Sequence, residues 1–303
     1  MTAMLHCLIS DIADEIRALL PSLPTAANDQ SNLTLIDTLV STRVADRAGL
    51  VRLLLRRADE ERIATGAKAR IGRREARVIQ GLVSHSDGAV AAAAMALIIA
   101  RGRRRDRFGQ CLLHFDDLPN DEAAALVYAV AAALRVELTN SGRQAELDRL
   151  LSTSARELLA SHDAGSGVEN LTATLVQLLD EEGDLTDELI LAAAIEGEMN
   201  FVGHALARRS GVTGEVALGE LLGGDSARVM VLVRIGLLKR EAAAGLLAGI
   251  GDLLGIADPA RAIGRFDAMT DLEVADALSW LCADAGYQQA VAALGKTDGQ
   301  RSV

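Results

Sequence analysis

A chain of 303 residues is long enough for one or two hydrophobic cores, and half of its residues are hydrophobic. Only 2% are aromatic and 4 are proline, so the apolar mass is mainly Ala, Leu, Val and Ile; that favours helices and argues against a β-sandwich of alternating Val, Thr, Tyr and Phe. The formal charge of −11 argues against a general binder of nucleic acid, which needs Lys and Arg concentrated on one face.

In chain order, residues 2–20 predict an amphipathic helix, because Met4, Leu5, Leu8, Ile12, Ile16 and Leu19 recur at three- and four-residue steps. Pro21 and Pro24 stop it, and 21–32 reads as a loop. A second helix begins near Asn32, and a third covers "VADRAGLVRLLLRRADEERIA". In the third, Leu50, Leu53, Leu54 and Leu55 are apolar, and the mixed charges of the other face read as solvated. "REARVIQGLVSH" and "DGAVAAAAMALIIAR" predict a helix pair, with Ser86 or Asp87 as the N-cap of the second. The apolar run 88–100 is too short to cross a bilayer and is expected to be a core helix.

Asn120 is expected to cap the helix in "FDDLPNDEAAALVYAVAAALR", with Asp121 and Glu122 complementing its dipole. "GRQAELDRLLSTSARELLAS" is a further helix, and "HDAGSGVEN" reads as the internal linker. Apolar helices of ten to fifteen residues then alternate with Gly, Asp or Thr; the last, "TDLEVADALSWL", opens on a capping box of Thr270 and Glu273. The tail 295–303 is expected to fray. The expected fold is all-α: antiparallel helical hairpins, with an N-terminal helical bundle (1–163) followed by an irregular HEAT-like right-handed array (164–303).

Few residues suggest chemistry. His6, His85, His114, His162 and His204 are scattered. Cys111 and His114 form a C-x-x-H pair without a second pair to complete a zinc site. His6 stands on an amphipathic helix, as phosphoryl-accepting histidines do, but "HCLISDIADEIR" lacks the usual acid–Leu–Arg–Thr–Pro pattern. "GIGDLLG" has the wrong spacing for a dinucleotide loop, so its glycines are expected to let helices approach closely. "GKT" at 295–297 lacks the leading glycine of a P-loop. The acidic clusters "DDLPNDE" and "DEEGDLTDE" do not follow the order of an EF-hand and read as helix starts. "NLT" at Asn32 and Asn170 reads as helix caps rather than glycosylation acceptors. Cys7, Cys111 and Cys282 are odd in number and far apart, which fits a reducing compartment. No positive start precedes the first apolar stretch, so a cytoplasmic protein without a membrane anchor is expected.

The loudest charge feature is Arg101, Arg103, Arg104, Arg105 and Arg107. The run follows an apolar helix, whose C-terminal dipole it complements, and it precedes carboxylates with which it can pair. It is the candidate contact surface for a protein, with nucleic acid as the weaker alternative, since only Phe108 stands near to stack on a base.

Together, "MTAMLHCLISDIADEIR", "LLLRRADEERIA", "DGAVAAAAMALIIARGRRRDRFGQ", "FDDLPNDEAAALVYAVAAALR" and "LTDELILAAAIEGEMNFVGHALARRSGV" resemble the alphaproteobacterial family called domain of unknown function 2336. The resemblance implies an all-α fold of HEAT-like hairpins and a role in signalling or scaffolding, and it transfers no catalytic residue. The resulting expectation is a non-enzymatic scaffold or regulator with no cofactor and no metal. Its partners would be other proteins, and a homodimer is one candidate assembly. Phosphotransfer through His6 and nucleic-acid binding through residues 101–107 are the alternatives.

Overall fold

A computed structural model describes residues 2–20, 29–43, 46–72, 78–138, 144–284, 286–288, 290–291 and 294. The loop at 21–28, the "GKT" triplet and the tail lie outside the described residues. The helices, in order, are α1 (Thr2–Ala18), α2 (Asp29–Ser41), α3 (Ala48–Ile71), α4 (Val78–Leu82), α5 (Gly88–Gly102), α6 (Asn120–Leu138), α7 (Gln144–Ser161), α8 (Val168–Glu182), α9 (Asp187–Ile195), α10 (Met199–Ser210), α11 (Gly214–Leu222), α12 (Ser226–Ile235), α13 (Arg240–Ile250), α14 (Pro259–Ala268) and α15 (Asp271–Leu281). Among the described residues there is no β-strand, only an isolated antiparallel bridge between Arg105 and Cys111. The protein is thus all-α, with antiparallel helix pairs of HEAT-like character.

The chain divides into two compact units. The first comprises Met1–Glu61 and Ala92–Leu171. At its centre α6 packs on α1, α2 and α7. Helix α1 buries Met4, Leu8, Ile12 and Ile16 of the predicted stripe, together with Ile9 and Ala13, while Leu5 is half-buried and Leu19 is exposed. Leu50, Leu53 and Leu54 of α3 join this core, whereas Leu55 does not. Each fully buried Leu or Ile contributes about 1.5–3 kcal/mol relative to exposure.

The second unit comprises Arg62–Ala91 and Thr172–Val303. Here α9, α10, α11 and α12 pack in succession, α13 returns to α9, α14 lies on α12 and α13, and α15 lies on α12. The capping box of Thr270 and Glu273 closes at the start of α15, and Asp87 Oδ1 caps α5 by accepting from the Ala89 and Val90 N–H groups. Asn120 does not cap α6: it is the first helical residue, and the Pro119 carbonyl accepts the first helical bond. The asparagines of both "NLT" triplets lie inside helices, where Asn32 bonds Arg17 and Asp14, and Asn170 bonds the Ala164 carbonyl.

The stretch 186–211 holds two helices, α9 and α10. Helix α9 ends in a Schellman turn, in which Gly197 N–H reaches Ala194 O and Glu198 N–H reaches Ala193 O. Gly197 has φ of 79°, and a Cβ there would lie 2.8 Å from the Ala64 Cα. The turns after α8 and at 251–256 have the same form, with Gly183 and Gly255 in the left-handed position. The corresponding place after α12 holds Leu237, with φ of 56° and 74% exposed. Of the glycines of "GIGDLLG", Gly249 sits at the expected close approach, where a Cβ would meet Ile195 of α9 at 3.0 Å; a Cβ on Gly251 would meet the Leu247 carbonyl of its own helix, and Gly255 serves the left-handed turn.

Two stability outcomes follow. Gly197→Ala loses about 2 kcal/mol or more in chemical denaturation, because a side chain there is both left-handed and crowded. Leu237→Gly raises stability by about 0.5–1 kcal/mol, since the strain is relieved and little burial is lost. Thermal melts of both variants, one shifted down and the other up, check the pair.

Candidate interaction site: the arginine run and its partners

The five arginines do not form one basic face. Helix α5 ends at Gly102, and the chain then folds back so that Arg105 bridges Cys111 and Leu112 N–H reaches the Arg104 carbonyl at 2.8 Å. Asp106 Oδ1 accepts from Phe108 N–H and Gln110 N–H, and Gly109, at φ of 80°, completes the turn. This tight loop sends alternate arginines in different directions.

Arg104 points inward and is 3% exposed. Its Nε and Nη2 donate to both oxygens of Asp117, at 2.9 and 2.8 Å, and its Nη1 lies 3.6 Å from Glu60 of α3. Arg105 donates through Nη2 to both oxygens of Glu61, at 2.7 and 2.8 Å. Arg103 lies 3.5 Å from Asp116 and remains exposed. Arg107 is exposed, with its guanidinium 4.7 Å from the exposed Phe108 ring. Arg101 is half-buried. Burial therefore removes Arg104 from any contact surface; Arg105 is exposed but held by both oxygens of Glu61, which leaves Arg103 and Arg107 as the exposed cations less tightly engaged by carboxylates.

Asp117 organises this site. Besides Arg104, it accepts from His114 N–H at 3.2 Å and from Val168 N–H at 3.0 Å, at the start of α8. Burial alone would push its carboxyl up, but Arg104 and the two backbone donors together hold it below the ordinary value of 3.8. The neighbouring Asp116 accepts from Asp163 N–H and the Ser166 hydroxyl, at 3.2 and 3.1 Å. "HDAGSGVEN" is therefore no free linker: its backbone is fastened to the two aspartates, and a Cβ on Gly167 would lie 2.5 Å from the Asp116 carbonyl.

The charged side of α3 also departs from the solvated reading. Arg57 lies 3.5 Å from Glu60 and 3.7 Å from Glu61, with its side chain 11% exposed. Arg56 bonds Glu169. Burial pushes the Glu169 carboxyl up, Arg56 counters this, and Glu60 adds to it.

The histidines are dispersed. His6 is half-buried on α1. The Nδ1 of His114 accepts from Asp116 N–H and caps the turn Phe115–Asp117, while the Cys111 thiol faces the Met4 sulfur at 3.5 Å and is pushed up by burial. His162 stacks edge-on against Phe115. The Nδ1 of His85 accepts from Asp87 N–H, which leaves Nε2 to donate to Asp184 at 3.0 Å. Among the described residues no group of three or more His, Cys, Asp or Glu could hold a metal, and no helix is long and apolar enough to cross a membrane. The described cysteines are free thiols.

Sequence reasoning missed a groove in the second unit. Ala227 and Val231 of α12, Ala277, Trp280 and Leu281 of α15, and the Arg228–Glu220 ion pair enclose about 300 Å³. Trp280 is 43% exposed. Its being the single tryptophan was the available signal.

Compared with known proteins, the chain matches the family model described as "Uncharacterised protein conserved in bacteria (DUF2336)" over residues 67–285. The match includes the arginine run and α4 to α15, while α1, α2 and most of α3 precede it. No curated protein and no solved structure matches.

The buried pair predicts a specific acid response. Because the folded Asp117 carboxyl titrates below its unfolded value, its contribution is complete above about pH 4 and is lost as pH falls through the folded value. Asp117→Asn should lose about 3–5 kcal/mol in urea unfolding at neutral pH, since Arg104 is left buried without its counter-charge. The loss should shrink as the wild type is acidified. Glu169 works in the opposite sense, contributing most when protonated, so Glu169→Gln should cost less at neutral pH than Asp117→Asn.

Proposed function

This chain belongs to the bacterial DUF2336 family, and we propose that it is a non-enzymatic scaffold or regulator in bacterial signalling, acting in the cytoplasm by binding other proteins. The observation that carries this reading is the distribution of polar chemistry. Arg103, Arg104 and Arg105 are engaged by carboxylates, and Asp117, held below its ordinary value, is spent on Arg104 and backbone donors. What faces solvent instead is apolar or mixed helix surface.

Helical arrays bind proteins through such surfaces, where an amphipathic segment lays its apolar face into a groove. The Trp280 groove suits a helix with apolar anchors and a polar edge that meets Arg228 and Glu220. Arg103 and Arg107 form a second, cationic contact surface. Neither surface requires a reaction.

The test is affinity capture with the whole chain as bait, compared among wild type, Trp280→Ala and the charge reversal Arg103→Glu with Arg107→Glu. Loss of a captured protein in one of these variants, with an unchanged circular-dichroism melt, is the expected result. Because Trp280 is the single tryptophan, adding that purified partner should also shift the intrinsic emission to the blue. Capture unchanged in both variants would refute the surface assignments. Transfer of a phosphoryl group from a receiver domain to wild type but not to His6→Ala would replace the scaffold reading with phosphotransfer.

A further inference from the structure

Helix α5 contains no polar residue from Gly88 to Ala100. A helix apolar on every side is normally enclosed on every side. Here only one face is: Val90, Ala94, Leu97 and Ala100 are buried. The opposite face exposes Ala92, Met95 (45%) and Ile99 (60%), and Gly102 and Arg103 continue it. The expectation of a core helix thus holds for half of its surface. Two large apolar side chains one turn apart, unrelieved by any polar neighbour along the helix, mark an interface rather than ordinary surface.

We propose that this face binds the same face of a second copy of the chain, with the two α5 helices antiparallel about a two-fold axis near Met95 and Ala96. The surface is self-complementary in this arrangement. Ile99 of each copy faces the small Ala92 of the other, Met95 faces Ala96, and Ala89 faces Gly102, so large side chains fill spaces left by small ones. Two other registers also set both large residues against alanine, but their axes fall at Ala94 and beside Leu97, which are buried. Charge agrees with shape. Asp87, whose Oδ1 caps the helix, stands at the N-terminal end, and Arg103, only 3.5 Å-paired to Asp116, stands at the C-terminal end. Antiparallel pairing brings Asp87 of one copy toward Arg103 of the other, and opposite ends of the helix dipoles also meet. A closed two-fold dimer is the commonest symmetric assembly, and it requires one patch that complements itself.

A contact about four turns long is small beside the roughly 1,200–2,000 Å² of a stable interface. The dimer is therefore weak and depends on concentration. It does not rest on the scaffold reading, although the two share Arg103; the Trp280 groove lies elsewhere.

Sedimentation velocity of the whole chain over a concentration series tests the proposal. The wild type should pass from monomer to dimer, and Ile99→Glu should weaken the dimer by more than about tenfold while keeping the wild-type melt, because the residue is exposed. Registry is tested by cross-linking with Cys7 and Cys282 replaced by Ser. Met95→Cys, beside the axis, should form a disulfide-linked dimer on mild oxidation, whereas Leu272→Cys, more accessible on α15, should not. A wild type that stays monomeric at every concentration overturns the proposal, and includes the case in which a different protein covers this face. A dimer indifferent to Ile99→Glu, or cross-linking equal at both positions, also overturns it.

Discussion

The bidentate contact of Arg104 with Asp117 is the constraint on which the first unit depends. A buried guanidinium is tolerable only with a counter-charge and hydrogen bonds to satisfy it. Asp117 supplies both, and with its remaining lone pairs it takes the N–H groups of His114 and Val168. One side chain therefore fixes the loop after α5, the turn before α6 and the start of α8. Glu60 and Glu61 extend the same charge network to α3 through Arg57, Arg104 and Arg105. Such a network costs desolvation, and what it provides is direction: each ion accepts few partners, so each loop has one place to lie.

The second unit uses the same device on a smaller scale. Asp187, at the first turn of α9, bonds Arg209 at the end of α10 and Lys239 N–H ahead of α13, and these donors hold its carboxyl below the ordinary range against the effect of burial. Asp187 of "TDEL" and Arg209 of "ARRSG" thus belong to one clamp, while Arg208 bonds Asp180. Farther along, Arg70 donates to Gly249 O and Arg62 to Leu253 O, each at 2.8 Å, so that carbonyls left open around the end of α13 find cationic donors.

Much of this was legible in the chain. Helix periodicity located α1 and α3, and local cap chemistry gave Asp87 and the Thr270–Glu273 box, because a cap depends on residues three positions apart. What escaped depended on residues distant in sequence. Asp116 and Asp117 were visible as neighbours of the arginines, but Glu60 and Glu61 reach them only through tertiary packing, and the charged side of α3 looked solvated for the same reason. "HDAGSGVEN" has a linker's composition, and nothing local reveals that Asp116 and Asp117 bind its backbone. The exposure of Met95 and Ile99 was hidden because an apolar helix reads as core.

The account rests on the centre of the arginine run, Arg104, being internal architecture, and a double-mutant cycle on its buried pair tests that most directly. Arg104→Met and Asp117→Leu each leave one buried charge alone, and each should lower stability in urea by about 3–5 kcal/mol. The double variant removes both charges and should regain most of that loss, because an apolar pair of similar volume can replace a buried ion pair at little cost. Single variants that cost nothing, or losses that simply add in the double variant, would contradict it.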